Sequence, residues 1–149
     1  MQRLLIATSL VLTALLPSCA NGPAMTEFPA AQSLVDSVAA AHDDVVRLTI
    51  HAVPAGGEKA QVIASTSAEK RGSWSDPEDI QAMDSGEAVE LMEGDDLDLS
   101  VPVMDASGTA MAVVGVTVSG DDQAAMRQSA EQIAAELADG IRTAATPMW

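Results

Sequence analysis

The chain has 149 residues, of which 22 are acidic and 7 are basic, giving a formal net charge of −15 at pH 7. This length is enough for one domain with a hydrophobic core, and because aromatic residues make up only 2%, aliphatic side chains must build that core. The excess of acids argues against nucleic acid as a partner, because such binding requires a basic face that neutralises phosphates. The same acidity is typical of a well-solvated surface.

The N-terminal residues have the pattern of an export signal. Arg3 lies in a short polar start and precedes an apolar run from Leu4 to Leu16, which is too short to span a bilayer comfortably and is typical of a signal peptide. The run ends in Leu16-Pro17-Ser18-Cys19, which resembles the bacterial lipobox, with Pro17 where a small or β-branched residue is usual. An ordinary secretory signal with an unused cysteine is the alternative.

The lipobox resemblance implies that the chain is cleaved before Cys19 and that lipid is attached to this residue. Ala20 resembles the pattern for sorting to the outer membrane in many Gram-negative bacteria. We therefore expect a lipoprotein signal peptide over residues 1–18, a lipidated tether over residues 19–29 and a folded domain over residues 30–149. Acyl chains would hold this domain at the membrane, facing the periplasm.

Hydrophobic periodicity predicts the elements of the domain in chain order. Apolar residues at helical spacing predict a first helix from Ala30 to about Val46. Residues 47–53 and 59–65 are predicted to be strands that form a hairpin. Residues 66–74 lack an apolar period and should form a loop, and Ser75-Asp76-Pro77-Glu78 is typical of a helix start, with Glu three residues after Ser75.

The second half of the domain is predicted to contain three strands and a long helix. The short helix should end near Gly86, and strands are expected over residues 87–92, 97–104 and 109–118. The last of these is almost wholly apolar and should be a central strand that is covered on both faces. A C-terminal helix follows, with Met126, Ala130, Ile133, Leu137 and Ile141 at helical spacing. This order predicts an α+β fold: a five-stranded antiparallel sheet with long N- and C-terminal helices packed on it and a short helix in the central loop.

Three stretches of this chain resemble the extracytoplasmic PAS-like sensor domains known as Cache domains. They are a strand that leaves into a loop at residues 62–66, Gly72 followed by a helix start at residues 75–79, and a Pro-x-x-Asp-x-x-Gly strand pair within residues 101–116. The resemblance implies a PAS/Cache-like sheet that holds small molecules, often carboxylates or amino acids, between the sheet and the long loop. Family members usually carry an output domain, so this chain would signal through a separate membrane protein.

If a ligand pocket exists, the loop between Ser65 and Ile80 should line it. A tryptophan can stack on a ligand, and an arginine can hold a carboxylate with paired donors. Each candidate also has a structural alternative: Trp74 closing the core, Asp76 capping the helix, and Met104 filling a gap. The candidate ligand-binding residues are Ser65, Arg71, Trp74, Asp76 and Met104.

The sequence predicts neither a metal site nor a catalytic centre. His42 and His51 are the only histidines, and without a second thiol a zinc site lacks ligands. Met104 and Met111 could meet and suit copper(I), but packing is the favoured interpretation. There is no nucleophile motif or marked carboxylate pair, so we expect no enzymatic activity and no cofactor.

Taken together, these features predict a lipid-anchored extracytoplasmic module that binds or senses a small molecule and has no output domain of its own. Its partners would be the membrane, a small carboxylate or amino-acid-like ligand, and a separate membrane signalling protein. The alternative is an envelope lipoprotein that acts as a protein interaction module and has no small-molecule ligand.

Overall fold

The computed structural model describes residues 26–149. The expected signal peptide and the lipid attachment site at Cys19 lie outside the described residues. In the described part of the chain, none of the helices combines the length and apolar character that crossing a bilayer requires. The elements are α1 (Pro29–Ala39), β1 (Val45–Ala52), β2 (Gln61–Ser65), a 3-10 helix (Ala68–Lys70), α2 (Pro77–Ser85), β3 (Val89–Glu93), β4 (Asp96–Met104), β5 (Ala110–Val118) and α3 (Gln123–Thr143).

The strands form one five-stranded antiparallel sheet in the order β2-β1-β5-β4-β3. β5 is the central strand and is buried along most of its length, as its apolar sequence predicts. Asp105 organises the turn before it, because its carboxylate accepts hydrogen bonds from the backbone N–H groups of Ser107 at 2.8 Å and Thr109 at 3.0 Å. The predicted α+β fold with a five-stranded antiparallel sheet is confirmed.

The two faces of the sheet differ in chemistry because apolar and polar residues alternate along β1 and β4. One face packs against α1 and α3 and forms the aliphatic core. α2 packs on β4 and β5 on the opposite side, over a face that is largely polar. Core residues of the first face include Leu48, Ile50, Leu97, Leu99, Val103, Val114, Val116 and Val118, and the second face carries Thr49, His51, Asp98, Ser100 and Thr117.

α1 is shorter than its apolar period predicts. The helix ends at Ala39 instead of about Val46, and β1 already begins at Val45. Asp44 lies between the two elements, and its carbonyl oxygen accepts a hydrogen bond from the Ser119 N–H at 3.0 Å. This contact to the end of β5 and the strand preference of β-branched valine outweigh the continuation of the helical period.

α2 begins one residue later than the predicted motif. Asp76 is the residue before the first turn, and it forms a reciprocal capping box with Asp79 rather than the expected pair of Ser75 and Glu78. The Asp76 N–H donates to Asp79 Oδ2 at 3.2 Å. Ser75 is engaged elsewhere, because its Oγ lies 3.0 Å from His51 Nδ1. The helix ends at Gly86 with φ +70°, as predicted.

We expect Leu137→Ala to lower the free energy of unfolding by about 2–5 kcal/mol, because it removes a fully buried side chain from the core without favouring another backbone conformation. Leu91→Ala is the matched control: this leucine on β3 is 41% exposed, and its removal should cost less than about 1 kcal/mol. Urea denaturation followed by circular dichroism measures both. Equal losses for the two variants would contradict the assignment of the core to the α3 side of the sheet.

Candidate functional site

Ionisable and hydroxyl side chains are buried together between the sheet and α2. Each of them is at most 7% exposed, and they come from four elements. Such groups lose their hydration when the chain folds, so each requires partners inside the protein. We call this set the polar cluster; it consists of Thr49 and His51 on β1, Asp79 on α2, Asp98 and Ser100 on β4, and Thr117 on β5.

His51 is the centre of the polar cluster. Its Nδ1 lies 3.0 Å from Ser75 Oγ and 3.2 Å from Asp79 Oδ2, and its Nε2 lies 2.8 Å from Thr49 Oγ1. Burial lowers the pKa of His51 to about 4 from an ordinary value of 6.5. The imidazole is therefore neutral at pH 7 and carries a single N–H.

The contacts of His51 indicate which nitrogen holds this proton. An ionised Asp79 can only accept hydrogen bonds, so the N–H belongs on Nδ1, where it faces the carboxylate. Nε2 then accepts from the hydroxyl of Thr49, which lies closer to this nitrogen than to the Gly115 carbonyl oxygen at 3.3 Å. Hydrogen bonds therefore connect Ser75 through His51 to Thr49, and Asp79 Oδ2 lies beside the same imidazole nitrogen as Ser75.

Asp79 joins α2 to the sheet. Its Oδ1 accepts a hydrogen bond from the Ser100 hydroxyl at 2.7 Å, and its Oδ2 accepts from the Asp76 N–H within the capping box. Burial raises the pKa of Asp79, and the hydrogen bond from Ser100 opposes this shift. One carboxylate thus caps its own helix and contacts two strands.

Asp98 forms the second charged part of the polar cluster. It accepts a hydrogen bond from the Thr117 hydroxyl at 2.5 Å, and Arg47 Nη2 lies 3.5 Å from Asp98 Oδ1 and 2.8 Å from Glu93 Oε2. Burial raises the pKa of Asp98, whereas the bond from Thr117 and the charge of Arg47 lower it. Arg47 therefore bridges an exposed and a buried carboxylate at one side of the site and offsets one of their two negative charges.

Gly115 on β5 provides the space that the polar cluster occupies. A Cβ atom at this position would lie 2.3 Å from Thr49 Oγ1 and 3.5 Å from His51 Nε2. Any side chain here would therefore displace the threonine hydroxyl from the histidine ring. The glycine is required by this close approach.

A small depression lies above the polar cluster. Its volume is only about 10 Å³, no more than a single water needs. Lys70 and Asp76 form an ion pair of 3.1 Å at its rim. The lining carries two cations, Arg47 and Lys70, and four carboxylates, Asp76, Glu78, Asp79 and Asp98.

Carboxylate oxygens approach one another at two overlapping places near the site. Three oxygens that lie within 4.8 Å of one another come from Asp76, Glu78 and Asp79, and a second such set comes from Glu78, Glu93 and Asp98. Oxygen ligands suit hard cations. Lys70 already pairs with Asp76, and Arg47 pairs with Glu93 and Asp98. Side chains of the protein therefore supply the positive charge at both places.

The structure distributes the five sequence-predicted ligand residues over several places. Asp76 lies at the rim above the polar cluster. Ser65 is fully buried, and its carbonyl oxygen accepts from Arg71 Nε at 2.9 Å. Trp74 is 44% exposed in a groove of about 480 Å³, and Met104 lines a cavity of about 630 Å³ near the C-terminus. Ser65 and Arg71 are in contact, and Asp76, Trp74 and Met104 line three different depressions; ligand contact by these residues stays a prediction.

The residues that the sequence analysis missed are Arg47, His51, Asp79 and Asp98. One signal could have found part of the set: polar residues at every second position of β1 and β4, opposite an apolar face. Because α2 is distant in sequence from both strands, the pairing of Asp79 with His51 has no local signal.

The fold has solved neighbours, although neither a protein-family model nor a curated protein matches the sequence. The GAF domain of an Acinetobacter phosphoenolpyruvate-protein phosphotransferase is 21% identical, with a TM-score of 0.53, and the match covers 76% of this chain and 81% of that one. The A. aeolicus nlh2 GAF domain in an inactive state is 12% identical, with a TM-score of 0.59 and coverage of 74% and 82%. A putative GAF sensor protein from Burkholderia vietnamiensis is 14% identical, with a TM-score of 0.54 and coverage of 78% of each chain. The fold is therefore GAF-like, within the PAS-like type that the sequence predicted.

We expect the stability that His51 contributes to fall as the pH falls from 7 towards 4. The unfolded histidine takes up a proton near pH 6.5 and the folded one only near pH 4, so acidification through this interval favours the unfolded state. The difference in unfolding free energy between wild type and His51→Gln should therefore shrink by up to about 1.4 kcal/mol per pH unit. Urea denaturation of both proteins from pH 7.5 to 4.5 measures it.

Surface carboxylates titrate in both proteins, so their contributions cancel when one unfolding free energy is subtracted from the other. A difference that stays constant over the whole interval would show that His51 is not held neutral by burial.

Proposed function

We propose that this chain is an exported, lipid-anchored module of the extracytoplasmic PAS-like type, which binds a small molecule between its sheet and α2 and signals through a separate membrane protein. Three features support the proposal: the lipobox-like Leu16–Cys19, the GAF-like fold shared with a putative sensor protein, and the polar cluster. The proposed role is binding, not catalysis.

The polar cluster is the observation that carries the proposal. Burial lowers the pKa of His51 and raises the pKa values of Asp79 and Asp98, which favours the neutral form of each group. Keeping these groups under α2 therefore costs folding free energy. Aliphatic residues would pack the same face without that cost, as they do on the other side of the sheet. Ionisable groups with perturbed pKa values in a cleft are typical of functional sites.

The charges around the depression favour an amino-acid-like ligand over a simple carboxylate. A carboxylate alone could pair with Arg47 or Lys70, but it would meet four acidic side chains in the same lining. A ligand that also carries an ammonium group would place its positive charge near Glu78 or Asp98 and complement both signs.

Entry of such a ligand requires the rim to move. The Lys70–Asp76 ion pair would separate, and Asp76 also caps α2. Ligand binding would therefore change the start of α2, and a partner protein that contacts this helix would detect the change.

A thermal-shift screen of amino acids and small carboxylates tests the site. We expect at least one amino-acid-like compound to raise the melting temperature of wild type. Arg47→Gln should reduce this shift, because it removes a cation of the lining. Arg127→Gln is the control, since Arg127 pairs with Glu90 on the surface. If no compound shifts the melting temperature, or if both variants respond as wild type does, binding at the polar cluster is contradicted.

Metabolic labelling with palmitate in a Gram-negative host tests the anchor. We expect wild type to incorporate the label and to fractionate with the outer membrane, and Cys19→Ala to incorporate none, because the lipobox cysteine is the acceptor. The proposed anchor is contradicted if Cys19→Ala still incorporates the label, or if exported wild type incorporates none.

A further inference from the structure

A groove with apolar walls lies beside α2, away from the polar cluster. We call it the Trp74 groove; the residues that define it here are Val53, Lys59, Trp74, Ile80 and Met83, and its volume is about 480 Å³. This volume falls within the range of about 300–1,000 Å³ that is usual for small-molecule sites. We propose that the Trp74 groove is a second binding site, which takes a small monocarboxylate with an aromatic or aliphatic body.

The apolar walls of the groove are not part of the core. Val53 is 41% exposed, Trp74 is 44% exposed and Ile80 is 36% exposed. These are three large apolar side chains from three different segments, which meet at one depression instead of being scattered singly. Their exposed surface is available to cover the body of a ligand.

The backbone holds Trp74 in this exposed position. Trp74 pairs with Gln61 at the start of β2, and the Ser75 N–H donates to the Ala60 carbonyl oxygen at 3.2 Å. The backbone of Trp74 is therefore attached to the edge of the sheet and is not part of a free loop. A fixed backbone and the two χ angles of tryptophan limit the conformational freedom that the side chain loses when a ligand stacks on it.

Lys59 gives the groove its charge preference. Its ammonium group stands over the Trp74 ring, 5.7 Å from the ring centroid. Of the six lysines and arginines among residues 26–149, four pair with a carboxylate, and Lys59 does not. An unpaired cation in a chain with 22 acids and 7 bases is complementary to an anionic group.

Two acidic residues limit the choice of anion. Glu58 and Asp84 also line the groove. Neither carboxylate lies within 4 Å of Lys59 Nζ, the distance that defines an ion pair. A ligand with one carboxylate can pair with Lys59 and direct its body along the indole. A second carboxylate on the same ligand would meet these acids, so a monocarboxylate fits better than a dicarboxylate.

The dimensions favour a small molecule over a protein partner. A stable protein interface requires about 1,000 Å² or more of buried surface, whereas this groove accommodates roughly a single ring and its substituent. The site also differs from the polar cluster, because the groove contains none of the cluster residues.

The test uses the fluorescence of Trp74 in the full chain, purified in detergent micelles. Trp74 and Trp149 are the only tryptophans, so Trp149→Phe leaves Trp74 as the single reporter. We expect phenylacetate to change this emission saturably, and neutral phenylacetamide to bind about tenfold more weakly because it lacks the charge-assisted contact. Lys59→Gln should lower the affinity for phenylacetate to that for phenylacetamide, whereas Arg127→Gln should leave the affinity for phenylacetate unchanged.

Isothermal titration calorimetry on the chain with both tryptophans repeats the measurement if Trp149→Phe disturbs the C-terminus. The proposal is overturned if phenylacetate binds to neither protein, if Lys59→Gln binds it as wild type does, or if phenethylamine binds more tightly than phenylacetate. Arg47→Gln separates the two proposals. It should reduce amino-acid binding at the polar cluster and leave phenylacetate binding at the Trp74 groove unchanged.

Discussion

The contact between His51 and Asp79 is the interaction on which the second side of this sheet depends. Only Asp79 and Ala82 of α2 are buried, so the helix cannot be held by an apolar stripe as α3 is. It is held by a carboxylate that reaches the histidine on β1 and the Ser100 hydroxyl on β4. Because removing Asp79 would leave both His51 and Ser100 buried with one partner fewer, the position of α2 is coupled to the state of the polar groups beneath it.

This coupling extends to the Trp74 groove. Ser75 contacts His51 with its hydroxyl and lines the groove, while Ile80 and Met83 line it from α2. A change in the position of α2 would therefore alter both the polar cluster and the groove. The two proposed ligands would influence each other through this one short helix, and linkage requires that any such effect be reciprocal.

The parts of the fold that the sequence predicts are those with a local signal. Alternation along β4 and the apolar run of β5 predict the central hairpin, and the glycine after the short helix predicts its end at Gly86. The strand order and the early end of α1 have no such signal, because they depend on contacts such as Asp44 with Ser119. The site residues divide in the same way. The residue types of Trp74 and Asp76 in a loop indicate candidate ligand contacts, but the pairing of His51 with Asp79 depends on how α2 is placed on the sheet.

The rim and the floor of the polar site differ in how easily they can change. Lys70 and Asp76 are roughly half-exposed, and an exposed ion pair contributes only about 0–1 kcal/mol, so a ligand that offers both charges can replace it at little cost. His51, Asp79 and Ser100 are almost fully buried. Separating them would leave polar groups without hydrogen-bond partners in the protein interior, which solvates them poorly. Binding should therefore rearrange the rim and the first turn of α2 while the floor keeps its geometry, which confines the signal to the helix start rather than spreading it through the sheet.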